Sequence, residues 1–315
     1  MENKTLKIST QTGDMFNECT TDLCQLNENY AHLKECGFEA IDYNMDHFLT
    51  SGEIKSGKLN NFWDKSLDEL YEYFAPTKKA VEDNGVVFSQ AHASFPLYVK
   101  GLDTVNDYMI KVMEKSIAVC AFLSCNAVVA HPFSDSDKEF EMKVNLEMYR
   151  KIIPAAKKYG VKICLENMYL NFNNKPVEGS CSNAYEACYY IDKLNEEAGE
   201  NIFGFCLDIG HANLLSKNIK NFITKLSHRL TCLHIHDNDG TFDLHMMPYT
   251  QQRNWGLYCT DWNGMIEGLK EIDYQGNLSF ESFMGIKTFP KEVETEALKL
   301  LCAIGKYLRN RILEK

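Results

Sequence analysis

Four stretches of this chain combine carboxylates and imidazoles at spacings that can do chemistry: Glu166-Asn167, Asp208-Ile209-Gly210-His211, His234-Ile235-His236-Asp237 and Glu281-Ser282. Two further histidines, His92 and His131, close similar runs earlier in the chain. Glu166, Asp208, His236 and Glu281 together offer three carboxylates and one imidazole. Such an oxygen-rich set with one nitrogen suits a divalent ion: Mn, Zn, Co, Mg or Fe. Pressed together without a cation, these groups repel one another and lose their charge. His234 precedes His236 by two residues, so on a strand both point to the same side at different depths. His236 is nearer the rim and is read as the ligand, with His234 behind it or in the core.

What unites these residues is the kind of segment they terminate. Short β-branched and apolar runs fall at 6–12, 39–44, 86–93, 126–133, 161–167, 203–210, 230–237 and 276–282. Between them, apolar residues recur at helical spacing, as in Leu67, Leu70, Tyr71 and Phe74. Glycines close the helical stretches before the next strand, at Gly37, Gly85 and Gly160. Strand and helix alternating eight times predict an α/β fold, a (β/α)8 TIM barrel in a single domain over 1–315. A doubly wound open sheet usually carries a Gly-rich phosphate turn after its first strand, and the residues after Ile8 do not form one. In a closed barrel the strand ends converge on one cup, so six polar strand ends define one site. Segments 48–65 and 170–180 follow strands and would wall that cup.

The bulk composition narrows the partners. A net charge of −11 and only five arginines, Arg150, Arg229, Arg253, Arg309 and Arg311, argue against a nucleic-acid surface. The longest apolar stretch, 117–130, is too short to span a bilayer. The N-terminus lacks the basic and apolar regions of a signal peptide, which predicts a cytoplasmic protein with no membrane partner. The twelve cysteines form no C-x-x-C pair and read as core thiols.

Leu165-Glu166-Asn167, Leu207-Asp208 with His211, His234-x-His236-Asp237-Asn238-Asp239-Gly240 and Phe280-Glu281-Ser282 resemble, in order, the xylose isomerase-like barrel superfamily. That group holds sugar phosphate isomerases and epimerases, ketose epimerases, inosose dehydratase and the apurinic endonucleases. The resemblance implies a sugar- or polyol-like small-molecule substrate, and self-association, since relatives are often dimers or tetramers. It makes Glu166, Asp208, His236 and Glu281 the metal ligands, and Glu166 and Glu281 the acid and base as well. His211 would hold a substrate oxygen. A hydroxy-ketone would react through an enediolate, giving epimerisation or isomerisation.

The same resemblance carries alternatives. A dehydratase or a carbon–glycoside-cleaving subunit would use this site for elimination, with His92 or His131 as the extra acid or base. The endonuclease branch binds three zinc ions with nine residues, whose counterparts here are His92, His131, Glu166, Asp208, His211, His236, Asp243, His245 and Glu281. A barrel that only binds a ligand is the non-enzymatic alternative. Ketose epimerases often place an arginine six residues after the ligand histidine, where this chain has Phe242. An insertion before Asp261-Trp262 brings Arg253 and Trp255, which could reach the substrate. Phe95, Tyr98, Phe133, Tyr169 and Trp255 could stack on a sugar or on an aromatic aglycone.

Overall fold

The computed structural model describes residues 6–13, 15–16, 18–254 and 256–314. Eight strands form the barrel: β1 (Ile8–Gln11), β2 (Ala40–Asn44), β3 (Val87–His92), β4 (Ala127–Ala130), β5 (Lys162–Glu166), β6 (Phe203–Asp208), β7 (Leu230–His234) and β8 (Leu278–Phe280). They pair in parallel in the order β8-β1-β2-β3-β4-β5-β6-β7. The seam between β7 and β8 closes just past the strand end. There Ile235 donates to the Ser279 carbonyl at 2.9 Å and accepts from the Glu281 N–H at 3.1 Å. Eight principal helices surround the strands: α1 (Leu23–Cys36), α2 (Leu67–Asp83), α3 (Asp103–Phe122), α4 (Lys138–Tyr159), α5 (Ala184–Ala198), α6 (Ile219–Leu226), α7 (Trp262–Glu271) and α8 (Glu294–Leu313).

Local signals account for most helix boundaries. Asp22, Ser66, Asp137, Asn183, Asn218 and Asp261 each accept a first-turn N–H with the side chain. Each such cap stabilises its helix by about 1 kcal/mol. Gly37 and Gly160 end α1 and α4 in the left-handed region, with φ of 103° and 67°, as their sequence positions predict. None of the helices among the described residues is long and apolar enough to cross a membrane.

Strand alternation separates two interiors. One face of each strand, including Ile8, Ile41, Val128, Ile163, Phe205, Leu233 and Phe280, packs against the helices in one large core. Ala127, Val129, Cys164, Cys206 and Cys232 form a separate small cluster inside the barrel. All twelve cysteines are free thiols, and most are buried. Polar residues fill the rest of the barrel interior. The Asp42 carboxylate meets Gln90 Nε2 at 2.8 Å, Ser279 Oγ at 3.1 Å and His234 Nε2 at 3.2 Å, tying together β2, β3, β8 and β7. Bulky branched side chains usually plug a barrel. Small and hydrogen-bonded ones here leave depth for a cup above them.

The expected runs 126–133 and 230–237 overshoot their strands by three residues, and one run changes element. The run 203–210 ends as a strand at Asp208, and Ile209–Leu214 is a short helix. Asp208 causes the break, because its Oδ1 accepts the His211 N–H at 2.7 Å and caps the new helix. The 48–65 segment folds into the short helix Ser51–Ser56 and the 3-10 turn Phe62–Asp64, and 170–180 falls on the hairpin Tyr169–Phe172/Lys175–Glu178.

Candidate metal centre

The strand ends converge as predicted. His92 ends β3, Glu166 ends β5 and Asp208 ends β6. His131, His236 and Glu281 lie one or two residues beyond β4, β7 and β8, and His211 sits in the short helix after β6. Asp243 and His245 arrive from the loop after β7. Four overlapping trios each place three ligand atoms within 4.8 Å of one another: His92/His131/Glu166, Glu166/Asp208/His234, Asp208/His211/His236 and His236/Asp243/His245. Glu166, Asp208 and His236 each belong to two trios, so the sets run around the cup as a chain.

Hydrogen bonds fix which imidazole nitrogen faces the cup. His92, His211 and His245 place Nδ1 at 3.0, 2.8 and 2.9 Å from the backbone carbonyls of Ala93, Asn167 and Glu281. A carbonyl only accepts, so Nδ1 carries the proton and Nε2 of the neutral ring is left bare for the cup. His92 Nε2 and His131 Nε2 lie 3.0 Å apart, and His131 Nε2 is 3.2 Å from Glu166 Oε2. His211 Nε2 and His245 Nε2 both lie 3.3 Å from Asp243 Oδ2. His236 Nε2 sits 3.1 Å from Asp208 Oδ1. His245 lies in the left-handed region at φ +46°, where the loop after β7 turns.

His234 and His236 both lie among carboxylates, but different ones. His234 is fully buried, with Nδ1 3.4 Å from Glu166 Oε1 and 3.4 Å from Glu281 Oε2. His236 faces Asp208 and the Asp243 loop instead. Its ring packs on Gly210, where a Cβ would meet His236 Cε1 at 1.9 Å, so glycine is required there.

Several positioning groups carry no motif of their own. Asn167 clamps the Asp208 backbone, donating to its carbonyl and accepting from its N–H, both at 2.8 Å. Asn238 donates to the Gly210 carbonyl at 2.8 Å and accepts from Asn213 at 2.7 Å, fastening the short helix to the Asp239-Gly240 turn. Asp237 is no ligand. Its carboxylate holds the Thr260 hydroxyl at 2.7 Å and the Thr250 and Gln251 N–H groups at 3.1 Å, anchoring the 247–260 loop. The nearest sequence signal for all three is an Asn or Asp beside a ligand, which turns also favour.

The electrostatics follow from the crowding. Burial pushes the Glu166 carboxyl up, but His234 and His131 outweigh it and hold it well below the usual carboxylate range. Asp208 is likewise lowered, by His211 and His236 against burial. Burial pushes His211 and His245 down, yet their carboxylate neighbours win: His211 rises well above its ordinary value and His245 to about 9. The cup demands positive charge, as protons or as a cation. Buried Asp243 Oδ1 and His236 Nδ1 have no hydrogen-bond partner, and imidazoles with ionised carboxylates are the donors a divalent ion takes. The residues fit such an ion.

A cleft of about 680 Å³ opens above the cup. His92, His131, Glu166, His211, Asp243, His245 and Glu281 line it, with Gln11 and Asn44 beside them and Phe95, Tyr98, Phe133 and Tyr169 above. Arg253 is not brought in: it lies on the exposed hairpin Gln252–Asn254/Leu257–Tyr258. Trp255 lies outside the described residues.

Barrel and cup together define a (β/α)8 protein with buried His/Glu/Asp clusters suited to divalent metal, as in its relatives. The chain belongs to the xylose isomerase-like TIM barrel family, which residues 30–303 match. It is 30% identical to the uncharacterized protein MJ1614 of Methanocaldococcus jannaschii over 176 residues, 54% of this chain and 61% of that relative. The chain thus spans about three fifths of that relative's length. An L-ribulose 3-epimerase structure superposes with a TM-score of 0.69 at 16% identity, covering 98% of this chain and 96% of that one. The IOLI protein, in a structure with a zinc atom, gives 0.62 at 18% identity, covering 98% of each chain. At these identities the likeness shows the fold.

Proposed function

We propose that this protein is a metal-dependent isomerase or epimerase of a sugar or sugar derivative. One observation carries the proposal: Glu166 and Glu281 reach the cup from β5 and from just past β8, and each places a carboxylate oxygen 3.4 Å from the same buried His234 Nδ1. Two carboxylates converging on one small space can serve the two faces of a substrate carbon. Glu166, Asp208, His236 and Glu281 would hold the ion, which when bound supplies Lewis acidity to a carbonyl and its neighbouring hydroxyl.

The rest is the work of the side chains. Glu166, kept ionised by its imidazole neighbours, takes the proton from the carbon beside the carbonyl, and the electron pair moves toward the carbonyl oxygen. Glu281, with Gln11 Nε2 3.5 Å from its Oε1, returns a proton from the other side. Return to the same carbon inverts it, and return to the neighbouring carbon isomerises the sugar. His211, oriented by its Nδ1 bond to the Asn167 carbonyl, turns Nε2 toward a substrate hydroxyl. No arginine lines the cleft, and of its two lysines Lys100 is paired with Asp135 at 3.0 Å, so a neutral substrate is favoured over a phosphate ester.

The test is solvent exchange. Metal-loaded protein in D2O should place deuterium beside the carbonyl of at least one ketose, read by NMR, and Glu166→Gln should abolish it. Exchange followed by loss of water would indicate elimination, and no exchange on any ketose would sink the proposal.

A second reading has its own observation. The Asp208/His211/His236 and His236/Asp243/His245 trios, with His92/His131/Glu166, hold eight of the nine residues of the endonuclease-like zinc set, Glu281 being the ninth. Close to three zinc ions per chain and hydrolysis of a phosphodiester would favour it. The acidic chain and a cleft with so few cations stand against a DNA substrate.

A further inference from the structure

The cleft is larger and more divided than a single neutral sugar requires. Its floor is polar, built from the cup with Gln11 and Asn44 at one side. Its upper wall on the β3–β5 side is apolar: Phe95, Tyr98 and Phe133, with Met168 and Leu170 alongside. These groups are partly buried and turn their remaining surface to the cleft. At about 680 Å³ the cleft sits within the range of about 300–1,000 Å³ that holds ligands of drug size.

The wall is built rather than incidental. Asn145 holds Phe133 in place, donating to its carbonyl and accepting from its N–H, both at 2.8 Å. Tyr98 packs edge-on against Phe133 with ring centroids 4.8 Å apart. Phe95 leans on His131 at 4.3 Å, which places the foot of the wall directly beside the cup. Sugars offer such a wall only small C–H patches, whereas a flat apolar group covers it and releases its water.

We propose that the sugar enters as a glycoside that carries a ketone on its ring, the ring over the carboxylates and a flat apolar aglycone against Phe95, Tyr98 and Phe133. This rests on the sugar-transforming function above and names its substrate class. The experiment is calorimetric titration of the metal-loaded protein with 4-nitrophenyl and methyl glycosides of glucose and galactose, both anomers, as non-reacting probes of the aglycone wall. At least one 4-nitrophenyl glycoside should bind about tenfold tighter than its methyl counterpart. Tyr98→Ala, and separately Phe133→Ala, should erase that gain while leaving methyl-glycoside affinity within twofold; melting curves confirm folding, and Tyr98→Ala alone suffices should Phe133→Ala misfold. Equal affinities, a gain that survives both variants, or binding of neither class would overturn the proposal. Deuterium exchange separates the two claims. An aryl preference with no exchange on any sugar removes the isomerase function and leaves the aglycone wall standing, whereas exchange on free ketoses with no aryl preference does the reverse.

Discussion

The two flanks of the cup are built differently. On the β6–β7 flank, Asn167 clamps the Asp208 backbone, Asn213 and Asn238 fasten the short helix that carries His211, Gly210 leaves room for the His236 ring, and His245 is tied to the Glu281 carbonyl. On the β3–β5 flank, His92 has one backbone tie and His131 meets only side chains: His92, Glu166 and the Phe95 ring. The first flank is multiply hydrogen-bonded and charge-dense, the arrangement needed to hold an ion. The second is lightly tied and opens onto the aromatic wall, the arrangement needed to admit a ligand. Glu166 is the group both flanks touch.

That division is open to attack in order of effect. Glu166→Gln should cut turnover by about 10³-fold or more while the fold persists, because it removes the base and a shared ligand together. Comparable activity in wild type and variant, by the exchange assay, would undo the assignment.

Asn167→Ala removes only the clamp on Asp208, so metal affinity should fall by about 10–100-fold, measured by competition with a fluorescent chelator. Asn145→Ala, which unties Phe133 on the other flank, should leave metal affinity unchanged. Equal losses in both would erase the distinction between the flanks.

A smaller effect concerns pH. Metal-free His245 titrates near 9 instead of 6.5 because the Glu281 and Asp243 carboxylates outweigh its burial. A raised folded value means its stabilisation is fully present below about 6.5 and is lost as pH climbs through about 9. The melting temperature of chelated protein should therefore fall over that window, and added divalent ion should flatten the fall. A flat profile without metal would contradict the charge balance of this flank. Least of all, Arg253→Ala on the exposed hairpin should leave turnover within twofold.

Much of this was legible in the sequence, for a physical reason. A strand fixes side-chain direction by parity, so a polar residue at the end of an apolar run declares where it points. His92, Glu166 and Asp208 close their strands, and His131, His236 and Glu281 follow theirs closely. Parity could not separate His234 from His236, which share a face and differ only in depth. The asparagine clamps stayed hidden because Asn beside a strand end is also an ordinary turn signal. Arg253 was placed too near the cup because loop length says nothing about direction. Asp237 pins the base of that loop, and Gln252–Asn254 pairs with Leu257–Tyr258 as an exposed hairpin.

The central claim is that the cup holds a divalent cation, and metal content per chain tests it most directly. Protein purified without chelators, analysed by mass spectrometry, should carry at least one Mn, Zn, Co, Mg or Fe per chain, and Asp208→Asn should lose it. No metal as purified, and none bound on re-addition, would contradict the account.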